Sequence, residues 1–310
     1  KIVFPESNDE RIIEAAIRLE NEGLVKPILI GNKKNIPAKY DVSDCVFMDP
    51  YNNDIFEDMV ASFVERRKGK NTEEQARKML LDENYFGTML VYMGMADGLV
   101  SGACHSTGET VRPALQIIKT KPGVARTFGY FLMVRDKDKF IFGDCAINPN
   151  PNAQELAEIA IESAKAAEMF GMKPNIAMLG FSNFGSSNTE TSKKIREAIS
   201  YIHRNFPNVV VDGEIQADFA LNPEMLAKEF PFSKLNGKKV NVLIFPNLES
   251  ANMTYKLLKQ VNKAESIGPI ILGLSKPAHI LQLGASVDEM VNMAALAVVD
   301  AQEKEKRNNK

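Results

Sequence analysis

Short apolar runs alternate with longer amphipathic stretches along the whole chain. Residues 1–4 read as a buried strand and 9–22 as a helix, with Ile12, Ala15, Ala16 and Leu19 on one face and Gly23 closing it. A second strand is expected over 27–30 and a short third over 45–48. Helical spacing follows over 55–67, 72–82 and 84–95, the last with Phe86, Met89, Leu90 and Met93 on one face. Residues 128–134 and 139–144 alternate around the polar run 135–138 and predict a β-hairpin. The prolines of Asn148-Pro-Asn-Pro-Asn152 make the clearest break. Beyond it, helices are expected over 153–170, 190–205, 248–261 and 287–302. Strands are expected over 175–181, 209–211, 240–245 and 269–272, and the charged tail after Glu303 is expected to fray.

Strand–helix alternation of this kind predicts α/β architecture with mostly parallel sheets. A length of 310 residues and the break at 148 predict two domains. The formal net charge of −2 and the lack of any long basic run speak against nucleic-acid binding. No apolar run approaches the ~18–20 residues that span a membrane. Cys45, Cys104 and Cys145 are odd in number and widely spaced, which points to reduced thiols and a cytoplasmic protein. The chain opens on Lys1 rather than Met, so a short N-terminal piece is expected to precede it.

The stretch 97–123 sets small and hydroxyl residues (Ser101, Gly102, Ala103, Ser106, Thr107, Gly108, Thr110) between an apolar run and a helix. Such a loop offers unpaired N–H groups and a helix dipole to a phosphate or an oxyanion. Taken alone, the plainer reading is an ordinary helix cap, with Ser106 and Glu109 spaced as a capping box. Because Pro113 lacks an N–H, the regular helix is expected to begin near Thr110. The loop from Ser182 to Ser187 has the same character, phosphate cradle or turn capped at Asn188. Asp212 and Asp218 form either a carboxylate pair or turn and cap residues. His105 is a candidate acid, base or donor. Asp288 and Glu289 open the last helix, where a carboxylate suits the dipole and can also accept a thiol proton. No GxGxxG, GxxxxGK[ST] or HExxH is present, which disfavours a Rossmann NAD site or a P-loop.

Several stretches together resemble the phosphate acetyltransferase family. They are Asn84-Tyr-Phe-Gly-Thr-Met-Leu90, Ser101-Gly-Ala-Cys-His-Ser-Thr107 and Val111-Arg-Pro-Ala-Leu-Gln-Ile-Ile-Lys-Thr120, with Val211-Asp-Gly-Glu214, Gln216, Val242-Leu-Ile-Phe-Pro-Asn-Leu-Glu249 and Ile267-Gly-Pro-Ile270. The resemblance implies reversible acetyl transfer between CoA and phosphate by thiolate attack, with no metal or bound cofactor. It also implies a homodimer and two α/β domains with the active site between them, similar in fold to isocitrate and isopropylmalate dehydrogenases. The first domain is expected at 1–147 plus 269–310 and the second at 148–268. CoA is expected in the cleft, with its phosphates near Arg or Lys side chains and the helix starts after Ser106 and Ser186.

Carried over residue by residue, the resemblance implies a thiol base at Glu289 or Asp288 and phosphate contacts from Ser106 and Arg112. His105, Thr107, Arg126, Ser182, Ser186, Lys276 and Gln282 complete the expected substrate set. One place departs. The family's C-terminal loop reads Leu-Ser-Arg-Gly-Cys-Ser; here it is Leu281-Gln282-Leu283-Gly284-Ala285-Ser286. The family's arginine is Leu283. Arg112, Arg126, Lys276 or His279 are candidates to replace it. Ser182-Asn-Phe-Gly-Ser186, Gln216-Ala-Asp-Phe-Ala-Leu-Asn-Pro223, Phe230-Pro-Phe-Ser-Lys-Leu235 and Val298-Val-Asp-Ala-Gln302 resemble instead the C-terminal domain of large bacterial malic enzymes, which implies an acetyl-CoA-binding regulatory module. Phosphate butyryltransferase is a third option.

Overall fold

The structure, a computed structural model, describes residues 1–122, 124, 126–261 and 264–308, with side chains through 302. Gly123, the end of the hydroxyl-rich stretch, lies outside them. The chain divides into two compact units, Lys1–Thr127 with Gly268–Lys310, and Phe128–Ile267.

The first unit runs β1 (Ile2–Phe4), α1 (Glu10–Asn21), β2 (Pro27–Ile30), β3 (Val46–Met48), α2 (Phe56–Arg67), α3 (Glu73–Met79), α4 (Glu83–Tyr92), β4 (Gly98–Ser101) and α5 (Thr107–Ile117). The second holds β5 (Phe128–Arg135), β6 (Asp138–Gly143), α6 (Ala153–Met169), β7 (Ile176–Leu179), α7 (Glu190–Asn205), β8 (Val211–Ile215), α8 (Ala217–Leu221), α9 (Pro223–Glu229), β9 (Val242–Ile244) and α10 (Leu248–Val261). The chain then passes through β10 (Glu265–Leu272) to β11 (Ala278–Ile280) and α11 (Val287–Asn308). The tail expected to fray is helical to Asn308; residues 309 and 310 are not described.

Among the described residues the first sheet has the order β11-β4-β1-β2-β3, all parallel. From the central strand β1 the chain winds first toward β2 and β3, then returns to β4 on the other side. The loops after β1 and β4 therefore diverge over a topological switch point, where parallel α/β sheets place their ligands. The apolar face of α1 predicted from spacing is the buried one: Ile12, Ala15, Ala16 and Leu19 lose nearly all solvent contact. On α4, Gly87 lets the helix settle on the sheet, since a Cβ there would meet Val3 at 3.0 Å and Leu99 at 3.2 Å.

The second sheet has the order β10-β5-β6-β9-β7-β8, with β5 and β6 as the predicted antiparallel hairpin. Two expectations change here. The first boundary falls at Phe128, not at Asn148, because β6 pairs in parallel with β9 and carries the hairpin into the second sheet. The strand at 269–272 belongs to β10 on that sheet's edge. The strand returned to the first sheet is β11, pairing His279 with Val100. Its run Ala278-His279-Ile280 is short and interrupted by a histidine, so it reads as loop. In addition, β8 extends to Ile215, through a segment expected to be loop.

Candidate functional site

The loop after β4 is built around one buried carboxylate. Glu6, two residues past β1, is 1% exposed. Its Oε2 accepts from the N–H groups of Gly102 at 2.9 Å and Ala103 at 2.8 Å, and its Oε1 from those of Cys104 at 2.8 Å and His105 at 3.2 Å. His105 Nδ1 also lies 2.8 Å from Oε1. The donors that the sequence offers to a phosphate are thus turned inward onto the protein's own anion. Gly102 permits the bend: its φ is +116°, and a Cβ there would meet the Leu281 carbonyl at 2.7 Å. From the other side Leu281 N–H donates to Ser101 O at 2.7 Å.

A second strut joins the same loop to residues 281–286. Arg11 pairs with Asp9 at 2.5 Å and donates to Ala285 O at 2.8 Å and Ala103 O at 3.3 Å. The Arg11 hydrogen bonds hold the Asp9 carboxyl down at about 2. Cys104 Sγ lies 3.1 Å from Asp9, and burial, then that contact, pushes its thiol up to about 12. Cys104 is a protonated thiol at neutral pH and no nucleophile.

Ser106 and Glu109 form the predicted capping box. Ser106 N–H donates to the Glu109 carboxylate at 2.9 Å, and Glu109 N–H donates to Ser106 Oγ at 3.4 Å. The box fixes the start of α5 at Thr107, earlier than Pro113 suggested. Pro113 sits inside the helix, where its ring deletes only the bond to the Glu109 carbonyl. Thr107 and Arg112 are exposed on this helix. At the start of α4, Glu83 Oε1 is 3.9 Å from His105 Nε2. Burial raises the Glu83 carboxyl to about 7, tempered by His105. For His105 itself burial acts downward, but the Glu6 bond and the fields of Glu6, Glu83 and Asp82 outweigh it. The imidazole stands above its ordinary value.

The carboxylates of α11 have other partners. Asp288 is 77% exposed and its carboxylate is 2.5 Å from Arg18. Glu289 forms a capping box with Ser286, accepting its N–H at 2.8 Å and donating its own N–H at 3.2 Å. Gln282 and Leu283 follow β11 at the carboxyl edge of the sheet; Leu283 is 66% exposed.

Lys276 and Arg126 do not join this group. Lys276 precedes β11 and so sits at the sheet's amino edge, where its Nζ donates to Val91 O at 2.7 Å at the end of α4. Arg126 is exposed beyond the far end of α5, its carbonyl against Gly273. His279, a candidate for the missing charge, is buried in β11 with Nε2 3.7 Å from Asp300.

The second unit repeats the inward device. Glu214 in β8 is fully buried, and its Oε1 accepts from Ser182 Oγ at 3.0 Å, Gly185 N–H at 2.9 Å and Arg196 at 2.9 Å. Ser182 is buried against this carboxylate, whereas Ser186 is exposed and accepts from Asn183 N–H at 3.0 Å. The cap of α7 is Thr189, one residue past Asn188. Asp212 is no partner of Asp218: it accepts from Ser233 Oγ and Lys234 N–H, fastening the 233–235 turn.

Comparison with known proteins adds four findings. Residues 1–298 match the family model described as phosphate acetyl/butaryl transferase. The chain is 48% identical to phosphate acetyltransferase of Bacillus subtilis, over 97% of this chain and 94% of that one. It superposes on a phosphotransacetylase from Streptococcus pyogenes with a TM-score of 0.91 at 47% identity, covering 97% and 94%. A likeness of fold alone extends to 4-hydroxythreonine-4-phosphate dehydrogenase from Klebsiella pneumoniae, with a TM-score of 0.51 at 12% identity over 98% of each chain.

Proposed function

The chain belongs to the phosphate acetyl/butyryl transferase family, and from this premise we infer that it is an acyltransferase moving an acetyl group reversibly between CoA and phosphate. The observation that carries the reading is near-full-length identity of 48% to a phosphate acetyltransferase. The reaction breaks the acetyl C–O bond of acetyl phosphate and forms the C–S bond of acetyl-CoA. As acyl transfer it calls for neither metal nor resident cofactor. Its needs are a proton acceptor for the thiol, donors for the tetrahedral oxyanion, and positive charge for the departing phosphate. Arg112, exposed on α5 beyond Ser106 and Thr107, supplies the charge. Gln282, on the neighbouring loop, supplies a neutral donor.

The direct test is calorimetry with CoA, run beside an assay of phosphate-dependent thiol release from acetyl-CoA. CoA binding with turnover is the expected result; no binding at millimolar CoA sinks the reading. One observation favours a second reading. An exposed leucine stands at 283 where the family carries arginine, and the segments similar to malic-enzyme domains point to an acetyl-CoA-binding module. Binding without turnover would decide for it.

The protein acts in the cytoplasm, in keeping with three free cysteines, and no helix of the described residues is long and apolar enough to cross a membrane. It works as a homodimer. Met253, Leu257 and Val261 recur every four residues on α10 and are all exposed, a stripe suited to a partner surface. Sedimentation velocity is expected to give a dimer that Leu257→Asp converts to monomer; a monomeric wild type sinks this assignment.

A further inference from the structure

This inference rests on the acetyltransferase reading and concerns the reaction's single mobile proton. When CoA attacks acetyl phosphate, the S–H bond breaks, the C–S bond forms and the acetyl C–O bond breaks. The phosphate leaves one proton short of its stable dianion. The proton the thiol loses is the one the phosphate needs, so one group that accepts and then returns it balances the step.

We propose that His105 carries this proton at Nε2, held in place by Glu6 at Nδ1 and facing Glu83. Glu6 is a buried carboxylate 2.8 Å from Nδ1, so that nitrogen keeps its hydrogen and the exchange is confined to Nε2. The same carboxylate holds the His105 backbone N–H at 3.2 Å, fixing ring and main chain together. The side chain remains 27% exposed, within reach of a substrate. Nε2 is 3.9 Å from Glu83 Oε1, and a carboxylate at that distance stabilises the imidazolium formed when the thiol ionises.

The remaining carboxylates offer no better carrier. Asp288 is paired with Arg18, and Glu289 caps α11. The charged groups facing His105 are Glu6 from the loop after β1, Asp82 and Glu83 from the start of α4, and Glu109 from α5, which follows it. All are acidic, and they lift the imidazole above its ordinary value, while burial brings Glu83 to about 7. With the Glu83 carboxyl 3.9 Å from Nε2, a proton taken up there is held beside an acidic group until the departing phosphate receives it. Glu6 is a positioning residue that acts through His105.

The test is the pH profile of kcat for acetyl-CoA formation in wild type, His105→Gln and Glu83→Gln. Glutamine keeps a donor toward Glu6, so the loop stays closed, which a thermal melt verifies. His105→Gln is expected to lower kcat by about 10²–10⁴, leave the KM for CoA within about threefold and abolish the acidic limb of the profile. Glu83→Gln removes a negative neighbour and lowers the imidazole pKa, so its acidic limb moves to lower pH. If His105→Gln unfolds, this shift alone decides. Near-wild-type kcat in His105→Gln overturns the proposal, as does an acidic limb that survives in His105→Gln and stays put in Glu83→Gln. A wild type with no phosphate-dependent turnover overturns the acetyltransferase reading and the proposal with it. An active wild type beside an unimpaired His105→Gln removes the proposal alone.

Discussion

Replacing Glu6 by alanine is expected to lower stability by about 3–5 kcal/mol, the cost of emptying a buried, fully hydrogen-bonded carboxylate site. The N–H groups of residues 102–105 and the His105 ring lose their shared acceptor at once, and those of Gly102 and Ala103 are buried. Glu6→Gln separates charge from shape. Its amide keeps one acceptor oxygen but points an NH₂ at groups that are themselves donors. The glutamine variant is therefore expected to melt closer to Glu6→Ala than to wild type. By contrast Asp288→Asn, which breaks an exposed pair with Arg18, is expected to leave the melting temperature close to wild type. Calorimetry supplies the melting temperatures, and hydrogen exchange localises the effect to amides 102–105. A Glu6→Ala protein that melts within a degree or two of wild type and keeps those amides protected removes Glu6 as the centre of the loop.

That residue marks where sequence reasoning stopped. The strand before it, the helix after it and the capping box at Ser106 follow from local pattern, because each is decided by neighbours within one turn. Glu6 meets its donors 96 to 99 residues along the chain, and no periodicity encodes that meeting. The hydroxyl-rich loops at 101–108 and 182–187 read as anion cradles or as capped turns, and in both a buried glutamate of the protein itself, Glu6 or Glu214, accepts from the loop. Composition shows that a loop has donors to offer; it does not show which way they face.

Two of the candidate cations, Lys276 and Arg126, lie away from the other site residues for a related reason. Lys276 and Arg126 lie in polar segments, as Gln282 does, but a residue that precedes a parallel strand ends at the opposite edge from one that follows it. The sequence pattern predicts no strand over 278–280, so nothing local separates Lys276 from Gln282. The strand between them carries the two to opposite edges of the sheet. The domain boundary moved on the same principle. A proline-rich break ends an element, yet the parallel pairing of β6 with β9 decides which sheet the hairpin joins.

Leu283→Arg is expected to raise kcat/KM for acetyl transfer by about 10²-fold, the usual worth of one charged or hydrogen-bonding donor to a developing oxyanion or phosphate. The position accepts the change. Leu283 is 66% exposed, so no core packing is lost, and Gly284 beside it already holds the turn with φ +81°. The surrounding loop is fastened independently of this side chain, through Leu281 N–H to Ser101 O, Ala285 N–H to Gln282 O, and Arg11 to Ala285 O. The melting temperature should therefore stay close to wild type while the rate rises. Two companions separate charge from geometry. Leu283→Lys supplies a point charge without the planar fork and is expected to recover part of the gain; Leu283→Gln supplies only an uncharged donor and is expected to recover less than lysine. A gain confined to KM for phosphate would assign the guanidinium to uniform binding, whereas a gain in kcat would place it on the transition state. No gain from arginine or lysine would mean that position 283 faces no reacting group in this protein, leaving Arg112 to carry the phosphate charge from α5.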